Sequence, residues 1–173
     1  KNKKELRRDL QTVFTVYTKA WERNWGFVPM TKKEFDHEID SVLDVVRPEF
    51  FYLAFVDDEP AGFYVALPDY NQILIKMKGK LFPFGIFHAL FGKDKITAMR
   101  VVTMGVIKKY QNRGIDTVFY TKNFMIANEH KKMNIENAEM SWILETNTMM
   151  NRIATNLGGW VHKTYRIWDK KIK

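Results

Sequence analysis

The chain has 173 residues, 46% hydrophobic and 28% charged, which bounds it to a folded globular chain of ordinary domain length and excludes a disordered tail. It has no cysteine, so a disulfide framework, a thiolate metal site and a cysteine nucleophile are excluded, in keeping with a reducing, cytoplasmic setting. The net charge of +8 is segregated, with acid gathered between Glu34 and Asp69 and lysines towards the ends; no Arg/Lys-rich helix and no basic strand interleaved with aromatics is present, so nucleic acid is not an expected partner.

Leu6, Leu10, Val13, Phe14, Tyr17, Ala20 and Trp21 recur at helical spacing and predict an amphipathic first helix ending near Asn24–Gly26. Trp25-Gly26-Phe27-Val28-Pro29 reads as a loop. Thr31 with Glu34 three residues on is a capping box, opening a second helix that runs to about Val46 and is stopped by Pro48. A hairpin follows, with strands Phe51 to Val56 and Gly62 to Leu67 around the polar turn Asp57-Asp58-Glu59-Pro60. Asp69 can cap a short helix through Lys78, Gly79 breaks it, and Pro83 opens a second helix carrying Phe84, Ile86, Phe87, Leu90 and Phe91. Phe82, Phe84, Phe87, Leu90 and Phe91 form an aromatic insert that is a lid on the core, a surface for another domain or a second copy, a receiver for an acyl chain or a contact with lipid. Thr97 to Val106 is predicted as strand, Gly114 to about Met133 as a long helix and Ala138 to Leu144 as strand. Asn147 to Leu157 is expected to be a helix closed by Gly158-Gly159, followed by a last strand from Trp160 to Lys170. No apolar run approaches the ~20 residues that cross a bilayer. The chain starts at Lys1 without an apolar leader and is expected to be part of a longer protein.

The chemistry-bearing stretch is Met104-Gly105-Val106-Ile107-Lys108-Lys109-Tyr110-Gln111-Asn112-Arg113-Gly114-Ile115-Asp116, a strand, a short polar loop with glycine and a helix start. Backbone N–H groups at a helix N-terminus suit a phosphate or pyrophosphate, and Arg113 and Lys108 add positive charge. A plain turn is the alternative reading of that stretch. The four histidines (His37, His88, His130 and His162) lack metal-ligand spacing, so no metal is expected.

The stretch resembles the GNAT acyltransferases, whose loop reads Gln/Arg-x-x-Gly-x-Gly/Ala after a strand with alternate apolar residues matching Met104 and Val106. The later strand, Asn and Gly-terminated helix of that family match Ala138 to Gly159, with Asn147 at the Asn. Nearly the whole chain is similar to the C-terminal halves of two-domain GNAT-like bacterial proteins of uncertain function. The matching motifs are Asn24 to Pro29, Leu81 to Gly85, Met104 to Val106, Glu139 to Glu145, Leu157 to Gly159 and Lys163 to Ile167.

The resemblance implies an α+β fold, residues 1–173 forming one GNAT-like domain with a helical insert at about 68–95. A mixed, mostly antiparallel sheet would carry helices on both faces, its fourth and fifth strands splayed around pantetheine. It implies acetyl-CoA or another acyl-CoA as co-substrate, held by Met104, Val106, Gln111, Asn112, Arg113, Gly114, Ile115, Asp116 and Asn147. Direct acyl transfer to a small-molecule or peptide amine would follow. Trp21, Trp25 and Phe27 fall where the acceptor is lined in that family, core packing being the alternative. Glu145 is the candidate base or else a capping or salt-bridging carboxylate, and Tyr165 the candidate acid or else a sheet tyrosine. Contact with a preceding domain or with a second copy is expected. The sequence departs from the family at Asp116, where Gly or Ala is preferred beside pyrophosphate, and at Ala154, where a general-acid Tyr is frequent. An interaction module of the same fold that has lost its chemistry is the alternative function.

Overall fold

A computed structural model describes residues 2–24, 26–80, 82, 91–129, 134–140 and 142–171. Helix α1 spans Lys3–Trp21 and opens on a capping box, in which the Asn2 side chain accepts the Glu5 N–H at 2.9 Å and the Glu5 carboxylate accepts the Asn2 N–H at 3.2 Å. Helix α2, Lys32–Val42, starts on the Thr31–Glu34 box read from the sequence. It ends one turn short of the expected Val46, which is nonetheless buried.

Strands β1 (Phe51–Val56) and β2 (Glu59–Pro68) form the expected hairpin. Asp57 and Asp58 both lie in the left-handed region, at φ 49° and 62°, as a tight hairpin turn with the sheet's own twist requires. Helix α3 (Asn71–Met77) follows, with the Asp69 carboxylate accepting the Asn71 N–H at 3.2 Å; Lys78 and Gly79 end it at φ 50° and 71°. The aromatic helix expected from Pro83 lies largely outside the described residues. Strand β3 (Ala98–Val106), helix α4 (Ile115–Glu129), strand β4 (Asn137–Met140) and helix α5 (Thr148–Asn156) complete the regular elements.

Among the described residues the sheet runs β1-β2-β3-β4, antiparallel except for the parallel β3–β4 pair. Central β2 is buried from Ala61 to Ala66 because both its faces are covered. Alternation sends Phe63 and Val65 to one face, where Leu6, Leu10, Val13 and Val16 of α1 and Ile39 of α2 pack on them. Tyr64 and Ala66 face the other way, against Met99, Val101 and Phe119 of α4.

The chain divides into two compact units, Lys1–Ser141 and Trp142–Lys173. In the second, the Asn147 side chain accepts the Met150 N–H at 3.2 Å to start α5. Gly158, at φ 82°, and Gly159 donate back to the carbonyls of Thr155 and Ala154, both at 2.9 Å, the paired closure foreseen from the two glycines. Two strand expectations are corrected. Ala138–Leu144 is shortened to Asn137–Met140, and Trp142 at φ 39° is incompatible with extended pairing. Residues 160–170 carry no regular structure: their alternation suits a strand, but a strand forms only where a neighbour takes its N–H and C=O groups, and none pairs with it among the described residues.

Candidate functional site

Strand β3 is regular against β2 except at Val102. Thr103 pairs with Val65 and Val101 with Ala66, so Val102 is an extra residue, a β-bulge. At that point β4 also stops, its last pair being Val101 with Met140. The last five residues of β3 therefore have β2 on one side and no strand on the other among the described residues.

Which groups face that open edge follows from the ladder. The Ile107 N–H donates to the Ala61 carbonyl at 2.9 Å, so Gly105 and Thr103 also direct their backbone groups towards β2. Met104 and Val106 point theirs the other way. Two hydrogen bonds agree: the Met104 carbonyl accepts from Trp21 Nε1 at 3.2 Å and the Val106 carbonyl from Gln111 Nε2 at 3.1 Å.

The edge runs into a phosphate-type loop. A 3-10 turn at Lys108–Tyr110 is followed by Asn112 and Gly114, both left-handed at φ 61° and 76°. Such alternation turns successive N–H groups into one concavity. The Gly114 carbonyl accepts the Val118 N–H at 3.0 Å, so the amides of Ile115, Asp116 and Thr117 have no acceptor within the helix and carry its positive end. Arg113 lies 5.6 Å from the Tyr110 ring centroid and Lys109 Nζ 4.6 Å from it.

The loop is tied to the hairpin. The Glu59 carboxylate accepts from Lys109 Nζ and, at 2.6 Å, from the Tyr110 hydroxyl. The Lys109 hydrogen bond, then that of Tyr110, holds the Glu59 carboxyl below its ordinary range. Ile115, the first residue of α4, packs on the core of that face, its Cγ2 3.2 Å from where a Cβ on Gly62 would sit.

Of the residues predicted from sequence, the structure brings together Met104, Val106, Gln111, Asn112, Arg113, Gly114, Ile115 and Asp116, with Trp21 reaching the same edge from α1. Gln111 is committed to closing the loop on Val106. Phe27 and Trp21 flank Tyr17, with ring centroids 5.4 and 5.3 Å away. Trp25 lies outside the described residues. Asn147, Glu145 and Tyr165 belong to the second unit. There the Asn147 oxygen caps α5, Glu145 is exposed and pairs with Arg166 at 3.5 Å, and Tyr165 stands 6.2 Å from the Trp142 ring. The sheet position considered for Tyr165 is not formed, for want of a partner strand. The sequence reading missed Tyr17 as the hub of the aromatic group and Glu59 as the anchor of the loop. A glutamate 50 residues from Lys109 gives no local signal. Among the described residues no group of three or more His, Asp or Glu is placed to hold a metal ion.

No protein-family model matches the sequence. Among curated proteins, the chain is 36% identical over 171 residues to the bacterial ceramide synthase of Caulobacter vibrioides, covering 95% of this chain and 44% of that protein. It is 34% identical over 175 residues to protein YghO of Escherichia coli K12, covering 99% and 45%. The chain thus spans less than half the length of these curated relatives. Among solved structures it superposes on the aminoglycoside acetyltransferase AAC(6')-Iy bound to a CoA bisubstrate analogue, with a TM-score of 0.58, 12% identity and coverage of 95% of this chain and 93% of that one. A possible acetyltransferase from Clostridium difficile 630 matches with a TM-score of 0.60, 12% identity and 96% and 93% coverage. The fold is the GNAT acyltransferase fold, α+β with a mixed sheet.

Proposed function

We propose that this chain is an acyl-CoA-dependent N-acyltransferase domain that moves an acyl group directly from the thioester to an amine. The observation that carries the reading is the open edge of β3, with Met104 and Val106 directing backbone groups outward, leading straight into the left-handed turns at Asn112 and Gly114. An arm containing amides can pair with such an edge as an added strand does, and a pyrophosphate suits the N–H groups of the loop and the cation of Arg113. The loop amides and the Arg113 cation support CoA in this reading; the Asp116 carboxylate in the first turn of α4 disfavours the anion, and the Gln111 side chain is spent on the Val106 carbonyl.

The amine lone pair attacks the thioester carbonyl, the carbon–sulfur bond breaks, and the ammonium proton must leave. Glu145 is proposed as the acceptor of that proton and Tyr165 as donor to the departing sulfur; both are exposed side chains, and Ala154 supplies no alternative acid. A thiol near pKa 8–9 leaves tolerably without help, so proton removal is the harder step and Glu145→Gln should slow turnover more than Tyr165→Phe. Asn147 is proposed to contribute to the CoA site beyond its capping role.

The acceptor proposed is an amine on an apolar chain. A ceramide is the N-acyl amide of a long-chain amino alcohol, and the relative bearing that name is similar over 95% of this chain. Phe27, Tyr17 and Trp21 offer half-buried aromatic surface beside the β3 edge, and Trp25 is proposed to add to it. A further domain or a second copy is proposed to pack against this one, since the relatives are more than twice its length. A cytoplasmic site of action is part of the same reading. A non-catalytic binding module is the second reading, favoured by Asp116 and Ala154.

The test is free-thiol release from acetyl-CoA and longer acyl-CoAs with a panel of amines, long-chain amino alcohols included. Calorimetry of CoA binding to wild type and Gly114→Val runs beside it. Release with long-chain amines, and binding lost in Gly114→Val, are the expected results. Binding without release from any amine leaves the module reading; no binding at millimolar CoA removes both.

A further inference from the structure

Trp21 sits at the C-terminal end of α1, yet its indole N–H is spent 83 residues away on the carbonyl of Met104. That carbonyl faces the open edge of β3, two residues past the bulge at Val102 and beyond the last pair with β4. The approach is prepared from both sides. A Cβ on Gly105 would lie 2.7 Å from Phe63 Cε1, 3.0 Å from Ala20 Cβ and 3.3 Å from Trp21 Nε1, so only glycine lets this end of α1 lie on β3. Ala20, the neighbouring small residue, completes the clearance. Tyr17 lies tilted against the indole at 5.3 Å and Phe27 packs edge-on against Tyr17 at 5.4 Å, limiting the orientations of the indole.

A residue in a strand directs its N–H and its C=O to the same edge. A donor that clamps the Met104 carbonyl therefore fixes the direction of the Met104 N–H as well. It also removes that carbonyl as an acceptor for anything pairing with the edge, so what Met104 presents outward is a donor. A carbonyl oxygen that gains negative charge during acyl transfer needs a preorganised donor of this kind.

Resting on the acyltransferase reading above, we propose that Trp21 is a positioning residue for the acyl carbonyl. Its indole N–H holds Met104 so that the Met104 N–H is aimed at the thioester oxygen, while the rest of CoA is bound without its help. The consequence is a separation of two quantities that a merely structural tryptophan would move together. Removing the indole N–H takes away recognition of the acyl carbonyl and leaves recognition of the nucleotide and pyrophosphate.

The experiment uses wild type, Trp21→Phe, and a chain carrying 3-benzothienylalanine at position 21, which keeps the fused ring and replaces N–H by sulfur. Calorimetry with CoA and with acetyl-CoA, no amine present, gives the affinity difference due to the acyl group. Steady-state thiol release gives kcat and KM. Wild type should bind acetyl-CoA more tightly than CoA. Both altered chains should bind the two equally, with CoA affinity within about twofold of wild type; KM for acetyl-CoA should rise by no more than the acyl preference that is lost, and kcat should fall about 5- to 10-fold, the size of one lost hydrogen bond. An unchanged preference for acetyl-CoA and an unchanged kcat in the benzothienyl chain would overturn the proposal while leaving the acyltransferase reading intact. Equal loss of CoA and acetyl-CoA binding would overturn it too, by showing a structural role. Failure of wild type itself to bind CoA would remove both the proposal and the reading beneath it.

Discussion

At position 105 a single methyl group is already too large, while at position 114 there is room for one and the backbone forbids it. A Cβ on Gly105 would lie 2.7 Å from Phe63 and 3.0 Å from Ala20, whereas Gly114 has open space but φ 76°. Gly105→Ala should therefore cost about 1–3 kcal/mol through overpacking, with the α1–β3 seam loosened. Gly114→Ala should cost about 1–2 kcal/mol through backbone strain alone, and Gly114→Asn should recover part of it because asparagine tolerates the left-handed region. Urea unfolding of the three variants separates the two causes. Asp116→Ala should tighten CoA about 2- to 5-fold by removing a charge worth about 0.3–1 kcal/mol at the end of α4, and lower the melting temperature slightly because the same charge favours the helix dipole. Calorimetry and a thermal melt read the two signs.

Elements marked by local pattern were legible, and the side-chain ties between distant residues were not. The Thr31–Glu34 box is a four-residue pattern, and it starts α2 where it was expected. Thr31→Ala should cost about 1 kcal/mol, read by urea unfolding, because the Glu34 N–H loses the Thr31 hydroxyl as its acceptor and the Glu34 carboxylate loses that hydroxyl as a donor, while the bond from the Thr31 N–H remains. The tie between the hairpin and the loop before α4 is of the other kind. Glu59 has its carboxyl lowered by the hydrogen bonds of Lys109 and Tyr110, so its stabilisation is present above the ordinary carboxylate value of about 4.3 and is lost as the pH falls through the lowered one. Glu59→Gln should flatten that acid limb and leave stability unchanged in its slope above about pH 5. Denaturant titrations between about pH 3 and 6 check it.

At the scale of the sheet-bearing unit, Lys1–Ser141, helices cover both faces of the sheet, and the face towards α4 is rich in tyrosines. Tyr52 stacks on Tyr64 at 5.5 Å and on Phe119 at 6.3 Å, and Tyr120 meets Tyr64 edge-on at 6.1 Å. Burial pushes the Tyr52 hydroxyl up to about 12 and raises those of Tyr64 and Tyr120 as well. An unfolded chain releases these protons near pH 10 while the folded one retains them, so stability is whole below about pH 10 and falls as the pH climbs towards the raised values. Tyr64→Phe should make that alkaline decline shallower, at the cost of a changed core, and unfolding curves at pH 9, 10 and 11 compare the slopes.

The sequence by itself determined helices α1 to α5, the hairpin, the glycine closure of α5 and the strand–loop–helix order at 104–116, because caps, turns and periodicity are written within a few residues of one another. It also carried the resemblance to the GNAT acyltransferases, whose fold the structure has. Only the tertiary structure decided that β4 ends at Met140 while β3 runs on to Val106, and that Trp21 and Glu59 arrive at the two ends of the open edge. It also decided that residues 160–170 form no strand. Each of these depends on which surface meets which across tens of residues. A hydrogen bond between Trp21 and Met104 leaves no pattern in either neighbourhood, and an alternating stretch becomes a strand only when another edge is there to receive it.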